Sequence, residues 1–245
     1  MRIPLSRWGM REMLLVTVFL GLPAAVCCAW GATGWSWYWL PAVVLGLLWG
    51  WGILFFRDPE RPTPVEPGVF VAPADGRVTE TADVDHDVWA GGPATRLSIF
   101  LSIFDVHINR SPCAGVVRRV EYQPGRFLDA RDPRSGSQNE ANTIVIEPDE
   151  SGISTVVVRQ IAGKIARRIV CTVRPGDRLE RGERIGMIKF GSRTELIIAG
   201  QNTCEPAVRV GDKARGGLTV MARRRRDPAD VSSLAPAAVR AEVSR

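Results

Sequence analysis

The hydrophobic and polar positions divide this chain into an apolar N-terminal part and a longer part made of short, alternating runs. No charged residue occurs from Met13 to Trp30 or from Ser36 to Phe56. Each stretch is long enough to cross a hydrocarbon layer of ~30 Å as a helix. The aromatic residues at 35–39 are typical of the belt that marks a membrane interface. The pattern predicts a transmembrane hairpin in residues 1–57, with spans of about 13–30 and 36–56.

Two other interpretations of the apolar part are weaker. A cleaved secretory signal accounts for the first stretch only, because a second apolar stretch follows almost at once. A buried helix pair of a soluble protein is disfavoured by the uninterrupted lack of charge. Basic residues precede the first span and follow the second, at Arg2, Arg7, Arg11, Arg57 and Arg61. The positive-inside rule then predicts that both flanks, and everything after Arg57, lie on the cytoplasmic face of the plasma membrane.

After a Pro-rich linker at Pro59 to Pro67, the chain becomes a series of β-like runs bounded by Gly, Pro and Asp. Several runs are continuously apolar, so both of their faces are expected to be covered. The runs are Val69–Ala72, Arg77–Val84, Ala94–Phe104, Val116–Tyr122, Thr143–Glu147, Ile153–Ile161, Arg168–Val173, Arg184–Phe190, Glu195–Ala199 and Leu218–Ala222. The sequence predicts a β-rich soluble domain over residues 58–222 and a basic, disordered tail over residues 223–245.

One internal echo refines this fold class. Val173–Leu179 and Val208–Ala214 share the pattern Val-x-x-Gly-Asp-x-apolar, and a glycine follows each at Gly182 and Gly217. A Gly-Asp pair suits a tight turn, because Gly accepts a positive φ and the Asp side chain bonds nearby backbone. The pattern resembles the turns of a barrel-sandwich hybrid, although two ordinary β-turns of similar composition also account for it.

Charge and cysteine usage exclude several classes of function. The net charge of +6 arises mostly from arginine, and a basic surface on an anchored protein favours anionic lipid headgroups. Binding to nucleic acid is not predicted, because no motif combines aromatic and basic residues. The five cysteines are odd in number and form no Cys-x-x-Cys pair, so neither a disulfide framework nor a metal site is expected.

The pair Gly191-Ser192 suggests chemistry on the chain itself. Glycine tolerates strained backbone geometry. The Ser192 hydroxyl is therefore able to turn back onto the carbonyl carbon of Gly191, which converts the amide to an ester. β-Elimination then breaks the chain, and the new N-terminal residue hydrolyses to a pyruvoyl group. A Gly-Ser pair is more often an ordinary turn, so this interpretation depends on its surroundings.

Two further residues complete a nucleophile relay. His107 follows an apolar strand, and a histidine suits proton transfer near neutral pH. The other histidine, His86, lies in the acidic segment 83–87, which is predicted to be a loop, and is expected to be solvated. Asp75 lies in a turn between two predicted strands, where it is either a simple turn residue or the carboxylate that orients His107.

These segments together carry a family resemblance. Pro73-Ala74-Asp75-Gly76, Asp105-Val106-His107 and Phe190-Gly191-Ser192-Arg193-Thr194 follow one another in this order behind the hairpin. In this respect the chain resembles phosphatidylserine decarboxylase, and most closely its short bacterial and archaeal branch. The resemblance extends from about Pro59 to Ala222. It includes Gln138-Asn139-Glu140, which is similar to the family's Asn-Glu segment.

The resemblance implies a zymogen that cuts itself between Gly191 and Ser192. It implies a large chain of residues 1–191 and a small chain of residues 192–245, which begins with a covalent pyruvoyl cofactor made from Ser192. That group is expected to form a Schiff base with phosphatidylserine, release CO₂ and give phosphatidylethanolamine. Asp75 and His107 are expected to activate Ser192. His107 also serves the later step, unless water or a carboxylate covers one of the two. A homo-oligomer is left open.

Two other classes of function remain as alternatives. A serine hydrolase would use the same Ser192, His107 and Asp75, but the chain lacks the Gly-x-Ser-x-Gly elbow and the strand–helix alternation around it. A membrane-anchored barrel-sandwich adaptor or carrier would need no catalysis. A carrier requires a modifiable lysine at a hairpin tip, and Lys189, within an apolar run, fits that requirement poorly.

Overall fold

The structure is a computed structural model that describes residues 4–164, 168–189 and 191–225. Its helical segments are a 3-10 turn at Arg7–Gly9, α1 (Met10–Val16), a π-helical turn at Thr17–Gly21, α2 (Leu22–Ala32), a 3-10 turn at Ser36–Tyr38, α3 (Trp39–Phe55) and α4 (Ser135–Gln138). Its strands are β1 (Val69–Val71), β2 (Gly76–Asp87), β3 (Gly92–Leu101), β4 (Ile108–Arg110), β5 (Gly115–Gln123), β6 (Ala141–Pro148), β7 (Val156–Ile161), β8 (Ile169–Cys171), β9 (Arg178–Leu179), β10 (Arg184–Ile188), β11 (Ser192–Ala199), β12 (Cys204–Pro206), β13 (Lys213–Ala214) and β14 (Val220–Arg224).

The N-terminal part is a helical hairpin, as the apolar pattern predicts. Helical segments spanning Arg7–Ala32 and Ser36–Phe55 are long and apolar enough to cross a membrane. The two helices are joined by a hydrogen bond in which Trp49 Nε1 donates to Thr17 Oγ1 at 3.1 Å. The two ends of the hairpin opposite its turn are joined by an antiparallel bridge between Leu5 and Arg57. Both flanks of the hairpin therefore lie on the same side.

The β-rich part consists of two similar halves, one inserted into the other. Its large curled sheet has the strand order β13-β2-β3-β11-β7-β6-β5-β9, and two three-stranded sheets have the orders β1-β14-β12 and β4-β10-β8. The large sheet is symmetric about its centre, where β11 lies beside β7, and the two small sheets correspond strand by strand. The strands of one half, β1, β2, β3, β11, β12, β13 and β14, then match β4, β5, β6, β7, β8, β9 and β10 of the other, in that order. The second half, β4 to β10, is thus inserted between β3 and β11 of the first.

Hydrogen bonds around the repeated turns support this two-fold relation. Gly176 N–H donates to Val117 O at 2.8 Å, and Gly211 N–H donates to Val78 O at the same distance. Gly176 and Gly211 both have positive φ, at 95° and 99°. The turns are closed by Asp177 and Asp212, whose carboxylates each accept a backbone N–H at 2.8 Å. The echo read from the sequence is therefore a true structural repeat.

The core lies between the curled sheet and the two small sheets. It contains buried aliphatic and aromatic side chains from both halves, among them Phe70, Leu97, Ile99, Ile144, Ile146, Val158, Ile185, Leu196 and Ile198. The other face of the curled sheet is covered in part, because Ile197 packs there with Val145, Val157 and Ala94. The central strand β11 is therefore covered on both faces, as its continuous apolar sequence predicts.

Each of the ten predicted runs contains a strand, but some boundaries differ. Phe190, at the end of one predicted run, lies outside the described residues, as do residues 226–245 of the predicted tail. The last strand extends to Arg224, two residues into that tail. The segment around His86 is part of β2 rather than a loop, although His86 itself is exposed, as predicted. The prediction missed the short strands β4, β9, β12 and β13.

Candidate active site

His107 and Ser192, two of the predicted site residues, lie where the chain passes between the two halves. Residues 102–107 lead from β3 into the inserted half, and residues 189–191 lead out of it into β11. The two crossings are adjacent, because Ile188 N–H donates to His107 O at 3.2 Å. Ser192 is the first residue of β11 and pairs with Leu101, the last residue of β3. Insertion of one half into the other thus brings His107 and Ser192 to the same end of the molecule.

Ser192 is buried at the start of β11, directly after a glycine of positive φ. Its side chain is fully buried, and its Oγ has no hydrogen-bond partner among the described residues. Gly191 has φ of 53°, in the left-handed region that glycine adopts without strain. A methyl group added at Gly163 would lie 2.1 Å from the carbonyl oxygen of Gly191. The backbone at residue 163 therefore packs directly against the carbonyl group that Ser192 would attack.

His107 is oriented by its own chain. Its Nδ1 lies 2.9 Å from the carbonyl oxygen of Asp105, two residues earlier. A carbonyl oxygen can only accept a hydrogen bond, so the ring proton resides on Nδ1 and Nε2 carries the lone pair. Nε2 is buried and has no partner in the part of the chain that the structure describes. The imidazole is thus a neutral base with its acceptor atom unoccupied.

The end of the hairpin forms the wall of this histidine. The rings of Phe55 and His107 lie with their centroids 4.2 Å apart. Phe55 and Phe56 belong to one buried cluster with Val106 and Met187. This desolvation lowers the pKa of His107 to about 4, against the opposing effects of the Asp105 hydrogen bond and of the charges on Asp105 and Asp75. His107 is therefore uncharged at neutral pH.

Asp75 does not orient His107, contrary to one of the two roles predicted for it. Its carboxylate receives a forked pair of hydrogen bonds from Arg61 at 2.5 and 2.8 Å, and it accepts the N–H of Gly216 at 2.8 Å. The position is nevertheless close to the site. Strands β2 and β11 flank β3 on either side, and Arg77 and Arg193 both pair with Phe100 of β3. Asp75 and Ser192, which precede these two arginines, therefore lie at the same end of the sheet. Two strand spacings separate them by about 10 Å.

A buried chain of amides beside Ser192 was missed by sequence reasoning. Asn142 Nδ2 donates to Gln160 Oε1, and Gln160 Nε2 donates to Asn109 Oδ1, both at 2.9 Å. Asn109 Nδ2 then donates to Thr194 Oγ1 at 3.1 Å. Thr194 and Ser192 point to the same face of β11, because side chains alternate along a strand. This series of hydrogen bonds links β6, β7, β4 and β11 and fixes the strand that begins with Ser192.

Comparisons with known protein sequences identify the family of this chain. A sequence profile of phosphatidylserine decarboxylase matches residues 50–222, a span that includes Asp75, His107 and Ser192. The chain is 44% identical over 223 residues to the phosphatidylserine decarboxylase proenzyme of Rhodopirellula baltica, which covers 90% of this chain and 88% of that protein. The chain belongs to the phosphatidylserine decarboxylase family.

Other members of this decarboxylase family are also similar to the chain. The proenzyme of Symbiobacterium thermophilum is 47% identical over 186 residues, which cover 76% of this chain and 85% of that protein. The proenzyme of Burkholderia vietnamiensis is 39% identical over 208 residues, which cover 83% and 92% respectively. Nothing among these relatives favours a serine hydrolase or a non-catalytic adaptor, so this family member is a carboxy-lyase.

The carrier alternative also disagrees with the position of Lys189. Its side chain is only 7% exposed and ion-pairs with Glu12 of α1, with Nζ 2.6 Å from Oε1. It is therefore not a lysine at an accessible hairpin tip. The contact instead ties the first helix of the hairpin to the segment that precedes Gly191.

The segment that resembles the family's Asn-Glu pair has a structural role. Asn139 is fully buried and forms two hydrogen bonds with the backbone of Leu128, each at 2.9 Å. It also donates to Ala162 O at 2.7 Å. Asn139 thus holds the loop around residue 130 against the end of β7. Both of these segments border Gly191.

Proposed function

We propose that this chain is a phosphatidylserine decarboxylase proenzyme that cleaves itself between Gly191 and Ser192. The observation that carries the proposal is a pair of buried atoms, Ser192 Oγ and His107 Nε2, that have no hydrogen-bond partner among the described residues and lie at the same end of the molecule as Gly191, whose φ is positive. Buried polar atoms normally have hydrogen-bond partners. Two such atoms at the same end of the molecule suggest a nucleophile and its base.

The first step uses His107 as base and then as acid. Nε2 takes the proton of the Ser192 hydroxyl, and Oγ attacks the carbonyl carbon of Gly191. The resulting imidazolium is a strong acid, because burial penalises its charge. It returns the proton to the Ser192 nitrogen as the bond from that nitrogen to the Gly191 carbonyl carbon breaks. The product is an ester between Gly191 and the Ser192 side chain.

The second step separates the chains. His107, neutral again, takes the Ser192 Cα proton, and the bond from Cβ to Oγ breaks. The Gly191 carboxylate leaves and ends chain 1–191. Residue 192 is left unsaturated, and water replaces its nitrogen, which departs as ammonia, to give a pyruvoyl group. The position fits that group, because Ser192 is fully buried and a neutral ketone costs far less to bury than the ammonium of a hydrolysed peptide.

The pyruvoyl group would supply a carbonyl that takes up the electron pair left when the serine carboxylate of the substrate departs as CO₂. His107 lies in the same water-poor wall, so it would take a proton from the substrate ammonium and deliver it to the carbon that loses CO₂. Asp75 would act through its charge, which favours the protonated form of His107. Arg61 and Gly216 hold that charge in place.

The hairpin fits a substrate that stays in the bilayer. Its two flanks are paired at Leu5 and Arg57, and arginines lie at both ends. By the positive-inside rule the catalytic part would lie on the cytoplasmic face of the plasma membrane.

Intact mass of the purified protein tests the proposal. We expect two chains, split between Gly191 and Ser192, with a pyruvoyl terminus on the smaller one. Ser192→Ala should stay full length and should release no CO₂ from phosphatidylserine vesicles. A wild-type chain that remained whole while active would contradict self-cleavage and would favour a hydrolase.

A further inference from the structure

A cavity of about 280 Å³ lies beside the cleavage site. Gly191 forms part of its wall, together with Phe100, Ile103, Ala130, Arg131 and Lys164. The proposed chemistry at Gly191 and Ser192 uses none of the side chains of this cavity. Its lining combines apolar groups with two cationic side chains, and also includes Ser102 and the carboxylate of Asp129.

Backbone contacts bring the two cations to the scissile residue. A methyl group at Gly163 would lie 2.1 Å from Gly191 O and 3.3 Å from Cβ of Ala130. Gly163, Ala130 and Gly191 therefore meet at one point. Lys164 and Arg131 each follow one of these residues directly. Because Asn139 ties Leu128 to Ala162, both cations are held near Gly191 by a buried side chain.

The charge of this cluster suits one anionic group. Arg131 forms a forked contact with Asp129, at 3.0 and 2.7 Å, and lies over the ring of Phe100 at 5.8 Å. Lys164 forms no direct ion pair with any residue that the structure describes, although its charge, after the contacts from Arg131, helps to lower the pKa of Asp129. Two cations and one carboxylate leave a net charge of +1. A serine phospholipid headgroup carries a phosphate, a carboxylate and an ammonium, and so has a net charge of −1.

The cavity lies next to the end of the hairpin that continues into the β-rich part. Ile103 lines it, and the following residue, Phe104, is 68% exposed. Arg57, which follows the second apolar helix almost directly, donates to the carbonyl oxygen of Phe104 at 2.5 Å. Residues that end a transmembrane helix lie at the depth of lipid headgroups. A headgroup at this level would be next to the cavity.

We propose that this cavity binds the phosphodiester of a serine phospholipid headgroup, with Lys164 as its main cationic ligand and Arg131 as the second. The proposal rests on the proposed function, since it places the substrate of that reaction. The apolar wall formed by Phe100 and Ile103 would receive the glycerol end, and the amine would point toward residue 192.

Binding to the uncut precursor tests the site apart from catalysis. Full-length Ser192→Ala protein in detergent micelles would be titrated with glycerophosphoserine, and with inorganic phosphate for comparison. We expect Lys164→Ala to weaken glycerophosphoserine binding by about tenfold or more, the usual loss when a charge-assisted hydrogen bond is removed. Lys164→Arg should retain binding. Lys213→Ala, which changes an exposed lysine on β13, should have no effect.

The processed enzyme gives a second, independent measurement. Lys164→Ala should cleave itself as completely as wild type, while its KM for phosphatidylserine in mixed micelles rises by about tenfold with little change in kcat. The proposal would be overturned if Lys164→Ala and Arg131→Ala both kept the wild-type KM and the wild-type affinity for glycerophosphoserine. Phosphate binding as tight as glycerophosphoserine binding would also overturn it, because it would indicate a general anion site. Failure of wild-type cleavage or decarboxylation would instead contradict the proposed function and leave the precursor titration to decide this site.

Discussion

The imidazole of His107 determines how self-cleavage should respond to pH. A base whose pKa is about 4 is fully available at pH 6, where an ordinary histidine of pKa 6.5 is mostly protonated. We therefore expect the cleavage rate to rise with pH around a midpoint near 4 and to be flat from about pH 5 upward. The measurement is a pulse of cell-free synthesis into nanodiscs, transfer to buffers of different pH, and quantification of the two chains. A midpoint near 6.5 would contradict a desolvated His107.

The same residue gives the protein a defined sensitivity to acid. The folded-state pKa of His107 lies below its unfolded value. Its contribution to the free energy of unfolding is thus present above about pH 6.5 and is lost as pH falls toward about 4. His107→Gln should remove this contribution and slow cleavage by about 10²- to 10⁴-fold, the usual effect of losing a general base. A His107→Gln precursor that matures at the wild-type rate would exclude the proposed base.

The role of a residue could be predicted where it depends on its neighbours in sequence. It could not be predicted where it depends on contacts between segments far apart in sequence. Gly191-Ser192 and His107 could be selected from the sequence because few residues of those types stand in suitable contexts. The partner of Asp75 could not be selected. Arg61 lies fourteen residues earlier in a linker whose sequence indicates only proline-rich chain. The series of hydrogen bonds from Asn142 to Thr194 joins four strands, and no spacing of residues in the sequence predicts it.

At the level of elements, the repeat explains why the Gly-Asp turns could be predicted from the sequence and why the short strands beside them could not. The Gly-Asp turns were visible because their residues recur. The matching segments Ala72-Pro73-Ala74-Asp75-Gly76 and Ser111-Pro112-Cys113-Ala114-Gly115 recur as well, and they exchange backbone hydrogen bonds of 2.9 Å around Pro73 and Pro112. Only the first copy carries a carboxylate, since Ala114 occupies the position of Asp75. The short strands β9 and β13 follow from the turns and are too brief to show a period of their own.

The contact between α3 and His107 makes the hairpin a part of the site. Phe55→Ala should admit water to the imidazole and raise the pKa of His107 from about 4 toward its ordinary value. Cleavage should therefore slow far more at pH 5 than at pH 8. Loss of a buried phenylalanine also costs about 3–5 kcal/mol of stability, so the pH profile is the informative measurement.

Two variants separate this effect from a general loss of folding. Phe55→Leu keeps an apolar wall and should keep the low midpoint. Phe19→Ala removes a ring of the same size from an exposed face of the hairpin and should leave the profile unchanged. An unchanged midpoint in Phe55→Ala would mean that the hairpin does not control the histidine.

At the scale of the whole molecule, the site exists because one half of the β-rich part is inserted into the other. The chain crosses between halves twice, and the crossings carry His107 and Gly191. Such a connection joins residues far apart in sequence, so local patterns predict the strands and not the way in which they are nested. The hairpin then covers both crossings, through Phe55 at the first and Glu12 at the second.

The ion pair between Glu12 and Lys189 should therefore control maturation from a distance of 177 residues. Lys189 is buried, so removing its partner leaves a poorly solvated cation two residues before Gly191, at a cost of about 1–3 kcal/mol. We expect Glu12→Lys to slow cleavage more than Glu12→Gln, and the double variant Glu12→Lys with Lys189→Glu to recover much of the wild-type rate. The fraction of cut chain, measured by intact mass against time, reports the result. A double variant no faster than Glu12→Lys alone would show that the two charges do not act on each other, whereas recovery would show that the membrane hairpin sets the geometry at Gly191.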